Sequence, residues 1–370
     1  MTGSTGPRAT GPEIVGIGAV NADYIVRLPE ERSAEMSDIR NRFEFGSERA
    51  LTATEATNLL ADLAPLNPIF SPGGSALNTI ATLAAAETGR SVGYVGVCGR
   101  ATAVRSTVGG SDPGGFDPGG SAAPFSFPNW FAGLGINTEH VRFVDELVGT
   151  CVSVTDAGRR SLLTTDGANA GFLGYVAAEA DRLVRSLSSA TVVLITSFAG
   201  LDDIAPLVAL VRRLRAAAPD VIVCVDPGAM WSIPPVPAGV PELLTAADWI
   251  LLNAEEYQLT GLAERSPTGP SRGGIVVKDT KTVQVVTSTA DQAAVTVHWN
   301  PEVLPPHQIV DDTGTGDAFA AGFLWALASP GVSEATGVEL GMALAAAKLR
   351  HPGLGGLDGY ADVARPYLAG

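Results

Sequence analysis

The residues Asp311-Asp312-Thr313-Gly314-Thr315-Gly316-Asp317 run directly into AFAAGFLWALA, an apolar stretch with helical propensity. Glycines at 314 and 316 let the backbone turn its N–H groups into a concave nest at the start of that helix. There the dipole and the free amides together favour an anion such as a phosphate. Asp317 falls in the first helical turn, an odd place for a carboxylate beside an anion unless it has a separate task. Accepting the proton of an attacking hydroxyl is such a task. A plainer reading explains the same residues as a Gly turn and a helix whose first acid complements the dipole.

A second cluster lies upstream. Trp249 to Leu252 reads as a strand, and Asn253-Ala254-Glu255-Glu256 follows at its carboxyl end, where open α/β sheets place their ligands. An amide at Asn253 and a carboxylate at Glu256 suit a Mg²⁺ that keeps most of its waters and bridges nucleotide phosphates. The competing explanation is a helix start with an Asn cap and first-turn acids. Near the N-terminus, Gly16-Ile17-Gly18 invites a dinucleotide-binding reading. Asn21 stands where the third glycine should be, and Ala22 to Leu28 looks extended, so that reading fails. Asn21 and Asp23 instead sit two apart at the end of the first strand and point to one side, able to hydrogen-bond a polyol. Ser71-Pro72-Gly73-Gly74-Ser75-Ala76-Leu77-Asn78 precedes an Ala-rich helix, and its paired glycines permit close approach of backbone to ligand.

The elements around these residues alternate in kind. Short β-branched runs at Ile14 to Gly18, Val92 to Val97, Val192 to Thr196, Val221 to Val225 and Trp249 to Leu252 are separated by Ala/Leu segments such as Ala76 to Ala85 and Pro206 to Ala217. Strands apolar on both faces imply a parallel sheet covered by helices on each side. Asp23 to Leu28 and Val141 to Asp156 show the alternation of half-exposed strands and predict a small second sheet acting as a lid. Residues 106–128, rich in Gly, Pro and Ser, read as an insertion, and residues 1–12 as a loose tail with no secretory character.

Composition narrows the function. Of 370 residues, 46% are hydrophobic and 17% charged, a globular balance. Lys and Arg total 24 against 39 Asp and Glu, and the net charge of −15 disfavours nucleic acid and anionic lipid as partners. No run of about 20 apolar residues spans a bilayer. Cys98, Cys151 and Cys224 are widely spaced and lie in apolar runs, which gives neither a disulfide framework nor a zinc site and fits a cytoplasmic protein. His140, His298, His307 and His351 show no metal spacing.

Taken in order, GAVNAD (Gly18 to Asp23), GGSALN (Gly73 to Asn78), GAN (Gly167 to Asn169), NAEE (Asn253 to Glu256) and DDTGTGD (Asp311 to Asp317) make the chain resemble the ribokinase-like, or PfkB, family of sugar and nucleoside kinases. The resemblance implies a three-layer α/β/α fold over residues 13–370 with a mainly parallel sheet and a small β lid, with lid segments near 23–45 and 141–156. It also implies ATP-dependent phosphorylation of a primary alcohol with Mg²⁺. Position by position, Asp317 is the implied base and Gly314, Thr315 and Gly316 the anion hole. Asn253 and Glu256 are the implied phosphate and Mg²⁺ residues, Glu256 through water. Asn21, Asp23, Gly73, Gly74 and Asn78 are the implied substrate contacts, and Asp311 the ligand of a monovalent cation such as K⁺ that parts of the family use.

Three departures stand out. Asp312 and Thr315 replace the usual Thr and Ala, Gly99-Arg100-Ala101 replaces a Gly-x-Asp, and Lys278-Asp279-Thr280-Lys281 replaces a glycine-containing turn of the nucleotide pocket. A sugar is the expected acceptor. A nucleoside whose base Phe43 and Phe45 would cover, and a non-catalytic sugar or nucleotide sensor, are the rival readings. A homodimer through the lid is left open.

Overall fold

Strands that bury both faces need a helix layer on each side, and the chain supplies both layers. A computed structural model describes residues 11–29, 33–45, 48–101, 125–156, 159–197, 203–262, 273–279, 282–289, 292–301 and 303–368. In chain order its elements are β1 (Ile14–Ile17), β2 (Asn21–Arg27), α1 (Ala34–Arg40), β3 (Glu48–Ala50), α2 (Ala53–Leu63), β4 (Ile69–Gly73), α3 (Ser75–Ala85) and β5 (Val92–Arg100). There follow α4 (Phe127–Gly133), β6 (Asn137–Leu147), β7 (Gly149–Asp156), β8 (Arg159–Thr165), α5 (Phe172–Ala178), α6 (Ala180–Leu187), β9 (Val192–Thr196), α7 (Ala205–Ala217) and β10 (Ile222–Asp226). The rest are α8 (Gly228–Ser232), α9 (Val240–Ala246), β11 (Trp249–Asn253), α10 (Ala254–Leu259), β12 (Gly274–Lys278), β13 (Val283–Thr289), β14 (Gln292–Trp299), α11 (Thr315–Leu327), α12 (Glu334–Lys348) and α13 (Tyr360–Leu368).

A nine-stranded sheet runs β14-β13-β12-β11-β10-β9-β1-β5-β6. It is parallel from β6 to β12 and antiparallel only at β12-β13-β14. Period-2 alternation sends Val15, Ile17, Val193, Ile195, Val223, Val225, Ile250 and Leu252 into one core with α5, α6, α7 and α9. Ile14, Val192, Leu194, Cys224, Trp249 and Leu251 go into the other with α3, α11 and α12. This is the three-layer arrangement expected. Strand order reverses at β1 and β9, so their carboxyl ends open a crevice where α/β sheets bind ligands.

The second sheet has five strands in the order β3-β8-β7-β2-β4. It corrects the sequence reading in several places. Val141 to Leu147 lies in β6, the outer strand of the main sheet, and only from Gly149 does the chain enter the small sheet. An edge strand with one solvated face carries the same alternation as a lid strand. Asn21 and Asp23 do not end the first strand but open β2 of the small sheet, still two apart and on one side. Part of the segment near 23–45 is helical, since Ser33 caps α1. Strands β3, β4 and β8 were not anticipated.

The expected insertion at 106–128 lies outside the described residues up to 124. From Phe127 it is the helix α4, capped by Ser126 and anchored by buried Phe127. Of the expected tail, residues 1–10 lie outside the described residues, whereas Pro12 packs on Gly93 so closely that a Cβ there would come within 2.6 Å of it. Among the described residues no helix is long and apolar enough to cross a membrane. Among the described residues no disulfide is formed.

Candidate active site

Four neighbouring parallel strands end in polar side chains: Thr196 on β9, Asp226 on β10, Asn253 on β11 and Lys278 on β12. The register pairs Thr196 with Asp226 and Asn253 with Lys278, so the four form a row along the carboxyl edge. Helix α11 starts over this row. Its cap is Gly314 at φ 77°, a left-handed conformation that a side chain would strain. Residues 318–326 are buried without a break, which fixes the helix start and with it Asp317 in the first turn.

Asp317 is held from α3. Asn78 Nδ2 donates to its Oδ2 at 2.8 Å, and Thr79 Oγ1 donates to its carbonyl at 3.2 Å. Asn78, expected among the substrate contacts, is thus the residue that orients this carboxylate. Burial lifts the Asp317 carboxyl to about 6. The Asn78 hydrogen bond opposes the rise and the charge of Asp226 adds to it. A carboxylate at that value is ionised at neutral pH and still basic enough to take a proton. The amides at 314–316 lie beside it. Gly316 is so near Lys278 that a Cβ would sit 3.3 Å from Nζ. Thr315 Oγ1 is buried with no hydrogen-bond partner among the described residues.

Lys278 and Asp226 were not singled out as site residues. The Lys278 ammonium donates to Asp226 Oδ2 at 2.5 Å. Burial would lower it, but the charges of Asp226 and Glu256 hold it above its ordinary value. The signal available in sequence was position, since both close a parallel strand at its carboxyl end. Asn253 and Glu256 form a reciprocal capping box: Asn253 Oδ1 accepts from Glu256 N and Glu256 Oε2 accepts from Asn253 N, both at 2.8 Å. The cap does not exclude a site role. Glu256 is buried, and burial followed by the charge of Asp226 raises its carboxyl.

The small sheet and the start of α3 carry the residues expected to contact the acceptor. Asp23 lies against Gly73, where a Cβ would be 2.0 Å from the carboxylate, so only glycine leaves it room. Its Oδ1 is buried with no partner among the described residues. Burial, then the charges of Asp311 and Asp317, push Asp23 up to about 7. Gly74, at φ 110°, caps α3. Asn21 Oδ1 accepts from Asn169 Nδ2 at 2.9 Å, and buried Asn169 also grips Val20 through both its N–H and its carbonyl. The GAN motif therefore ties the crossing between the two sheets.

Two expectations change. Asp311 does not present an open cation site, because Lys348 Nζ donates to its Oδ2 at 2.9 Å and Thr313 and Gly353 N–H groups bind the same carboxylate. Phe43 and Phe45 pack on each other, Phe43 is buried, and Arg159 stacks over the Phe45 ring at 5.2 Å, so both are already engaged. Arg100 pairs with exposed Asp145 on the neighbouring strand.

A family model described as pfkB family carbohydrate kinase matches residues 119–358. The chain belongs to this family. As a pfkB member it is a phosphotransferase with an alcohol group as acceptor, a kinase of a sugar or nucleoside. Among solved structures, an adenosine kinase from Schistosoma mansoni in complex with 2-fluoroadenosine is similar over 95% of this chain and 99% of its own, with TM-score 0.69 and 17% identity. A probable sugar kinase from Rhizobium etli covers 97% of this chain and 99% of its own, with TM-score 0.66 and 16% identity. The adenosine kinase from Sinorhizobium meliloti covers 96% and 99%, with TM-score 0.66 and 19% identity. No curated protein matches the chain in sequence. These likenesses extend the ribokinase-like fold over nearly the whole chain, including β1 to β5, which precede the family match.

Proposed function

We propose that this pfkB kinase transfers the γ-phosphate of ATP to a primary hydroxyl of a sugar, with Asp317 as the general base. The observation that carries the reading is the Asp317 carboxylate, fixed by Asn78 at 2.8 Å and set beside the Gly314 to Gly316 amides at the start of α11. A packed helix needs no such pairing of a proton acceptor with an anion hole.

Asp23, with one buried oxygen unpartnered, suits an acceptor hydroxyl that donates to it. Asp317 takes the proton from the CH₂OH, and the freed oxygen attacks the phosphorus in line. The amides at 314–316 and the Lys278 ammonium face the charge that spreads over the transferring group. Glu256 and Asp226 fit a hydrated Mg²⁺. Asp226 closes β10 and Glu256 lies in the first turn of α10 after the neighbouring β11, near enough for the Asp226 charge to act on the Glu256 carboxyl. When bound, Mg²⁺ would supply positive charge to offset that of the nucleotide phosphates. The small sheet meets the anion-hole loop through Arg160, which donates to Asp312 at 3.1 Å and to Thr313 at 2.8 Å. Closure there would exclude water, which otherwise competes with the acceptor.

A nucleoside is the second reading, favoured by the likeness of the fold to adenosine kinases, one of them in complex with 2-fluoroadenosine. Comparing ribose, fructose and adenosine as acceptors with ATP and Mg²⁺ separates the two. Phosphorylation of adenosine alone would overturn the sugar assignment.

A further inference from the structure

Lys348 ends α12, the second helix of the layer that carries α11, and is 2% exposed. A buried ammonium must place each N–H on an acceptor, and this one does. Nζ donates to Asp311 Oδ2 at 2.9 Å, to the Asp311 carbonyl at 3.1 Å and to the His351 carbonyl at 3.0 Å. Two carbonyl oxygens and one carboxylate oxygen are the donor set of a small hard cation, here filled by a cation attached to the chain. The cage joins two segments. One is Val310 to Gly314, which leads into the anion hole. The other is Leu349 to Leu354, whose Leu349 carbonyl accepts from Val310 N at 2.7 Å and whose Gly353 N donates to Asp311 at 2.8 Å. The small sheet fastens onto both, through Arg27 to the Val310 carbonyl at 2.8 Å and through Leu354 N to Ser71 Oγ at 2.9 Å.

We propose that Lys348 is a tethered monovalent cation. Its ammonium positions the loop that presents the Gly314 to Gly316 amides, so the protein works without the K⁺ that its family resemblance implies at Asp311. Lys348 is a positioning residue, acting through Asp311 and the loop rather than on the reacting atoms. The inference rests on the kinase reading of the site for its catalytic consequence, but not for the cage itself.

Lys348→Met keeps the stem to Cε and removes the charged nitrogen, leaving room for one ion among the same oxygens. Wild type and variant are compared in KCl and in tetramethylammonium chloride at equal ionic strength, by melting temperature and by turnover with ATP, Mg²⁺ and the best acceptor of a sugar and nucleoside panel. The wild type should melt and turn over alike in both salts. The variant should lose about tenfold or more in kcat in tetramethylammonium with little change in acceptor KM, and regain melting temperature and turnover in KCl. Stimulation of the wild type by KCl would overturn the proposal. So would a folded variant that keeps full turnover without K⁺, or one that neither salt restores. Should the variant not fold, the wild-type comparison alone decides. The melting curves decide even if no panel member is phosphorylated, which separates failure of this inference from failure of the kinase assignment.

Discussion

Replacing Asp317 with Asn should separate catalysis from stability. In the fold the Asp317 carboxyl sits at about 6 instead of 3.8, chiefly through burial. The sign follows from linkage: the stability associated with the protonated group is complete below the unfolded value and is lost as pH rises through about 6. Two pKa units correspond to about 3 kcal/mol. Because Asp317 is only partly shielded from solvent, screening reduces this to about 1–2 kcal/mol. Asn is nearly isosteric, uncharged and able to accept from Asn78 Nδ2. At pH 8 the variant should therefore melt higher than wild type by about 1–3 °C. At pH 4, where the wild-type carboxyl is already protonated, the two should melt together. Turnover should fall by about 10²-fold or more. Thermal unfolding at both pH values, paired with kcat at pH 8, is the assay. A variant that melts lower at pH 8, an offset that ignores pH, or near-wild-type turnover would refute the reasoning.

Glu256→Gln should raise the Mg²⁺ needed for half-maximal rate by about tenfold while the acceptor KM stays put, as a Mg²⁺ titration would register. Matching titrations would leave Glu256 a capping residue only. Lys278→Met should raise the ATP KM by about tenfold or more, the loss expected of one charge-assisted contact, with the acceptor KM unchanged. An unaltered ATP KM would confine Lys278 to its ion pair with Asp226. In wild type, kcat/KM should climb as pH rises through about 6 and about 7, because Asp317 and Asp23 act as carboxylates and burial disfavours that form in both. A profile flat from pH 5 to 8 would contradict it. Acceptor binding should also slow hydrogen exchange in β2 and β7 more than in β6, since only the first two lie in the small sheet.

The parts of the molecule legible in sequence are those whose physics is local. Gly314 and Gly316 before an apolar helix, or Asn253 and Glu256 after a strand, carry their geometry in their spacing. The alternation of β-branched runs with Ala/Leu segments likewise announces the layered sheet. What escaped depends on partners remote in sequence. Asn78 meets Asp317 across 239 residues, and nothing near Asn78 in sequence distinguishes a base-orienting amide from a substrate contact. Lys348 at the end of an apolar helix reads as an ordinary complement to the helix dipole until the fold sets Asp311 beside it. Strand β4 contains Pro72, which argues against a central strand, and it is tolerated because β4 is the outer strand of the small sheet. The alternation of β6 is real, but alternation reports one wet face and not which sheet owns the strand.

The central claim is that Asp317 drives phosphoryl transfer to a primary alcohol. Phosphorus NMR of reactions containing ATP, Mg²⁺ and a panel of sugars and nucleosides, run with wild type and with Asp317→Asn, tests it most directly. The wild-type reaction should yield a new phosphomonoester on a CH₂OH, from a sugar ahead of a nucleoside, and the variant essentially none. The claim would be contradicted by a folded, ATP-binding wild type that forms no phosphomonoester with any acceptor, or by a variant that forms it at the wild-type rate.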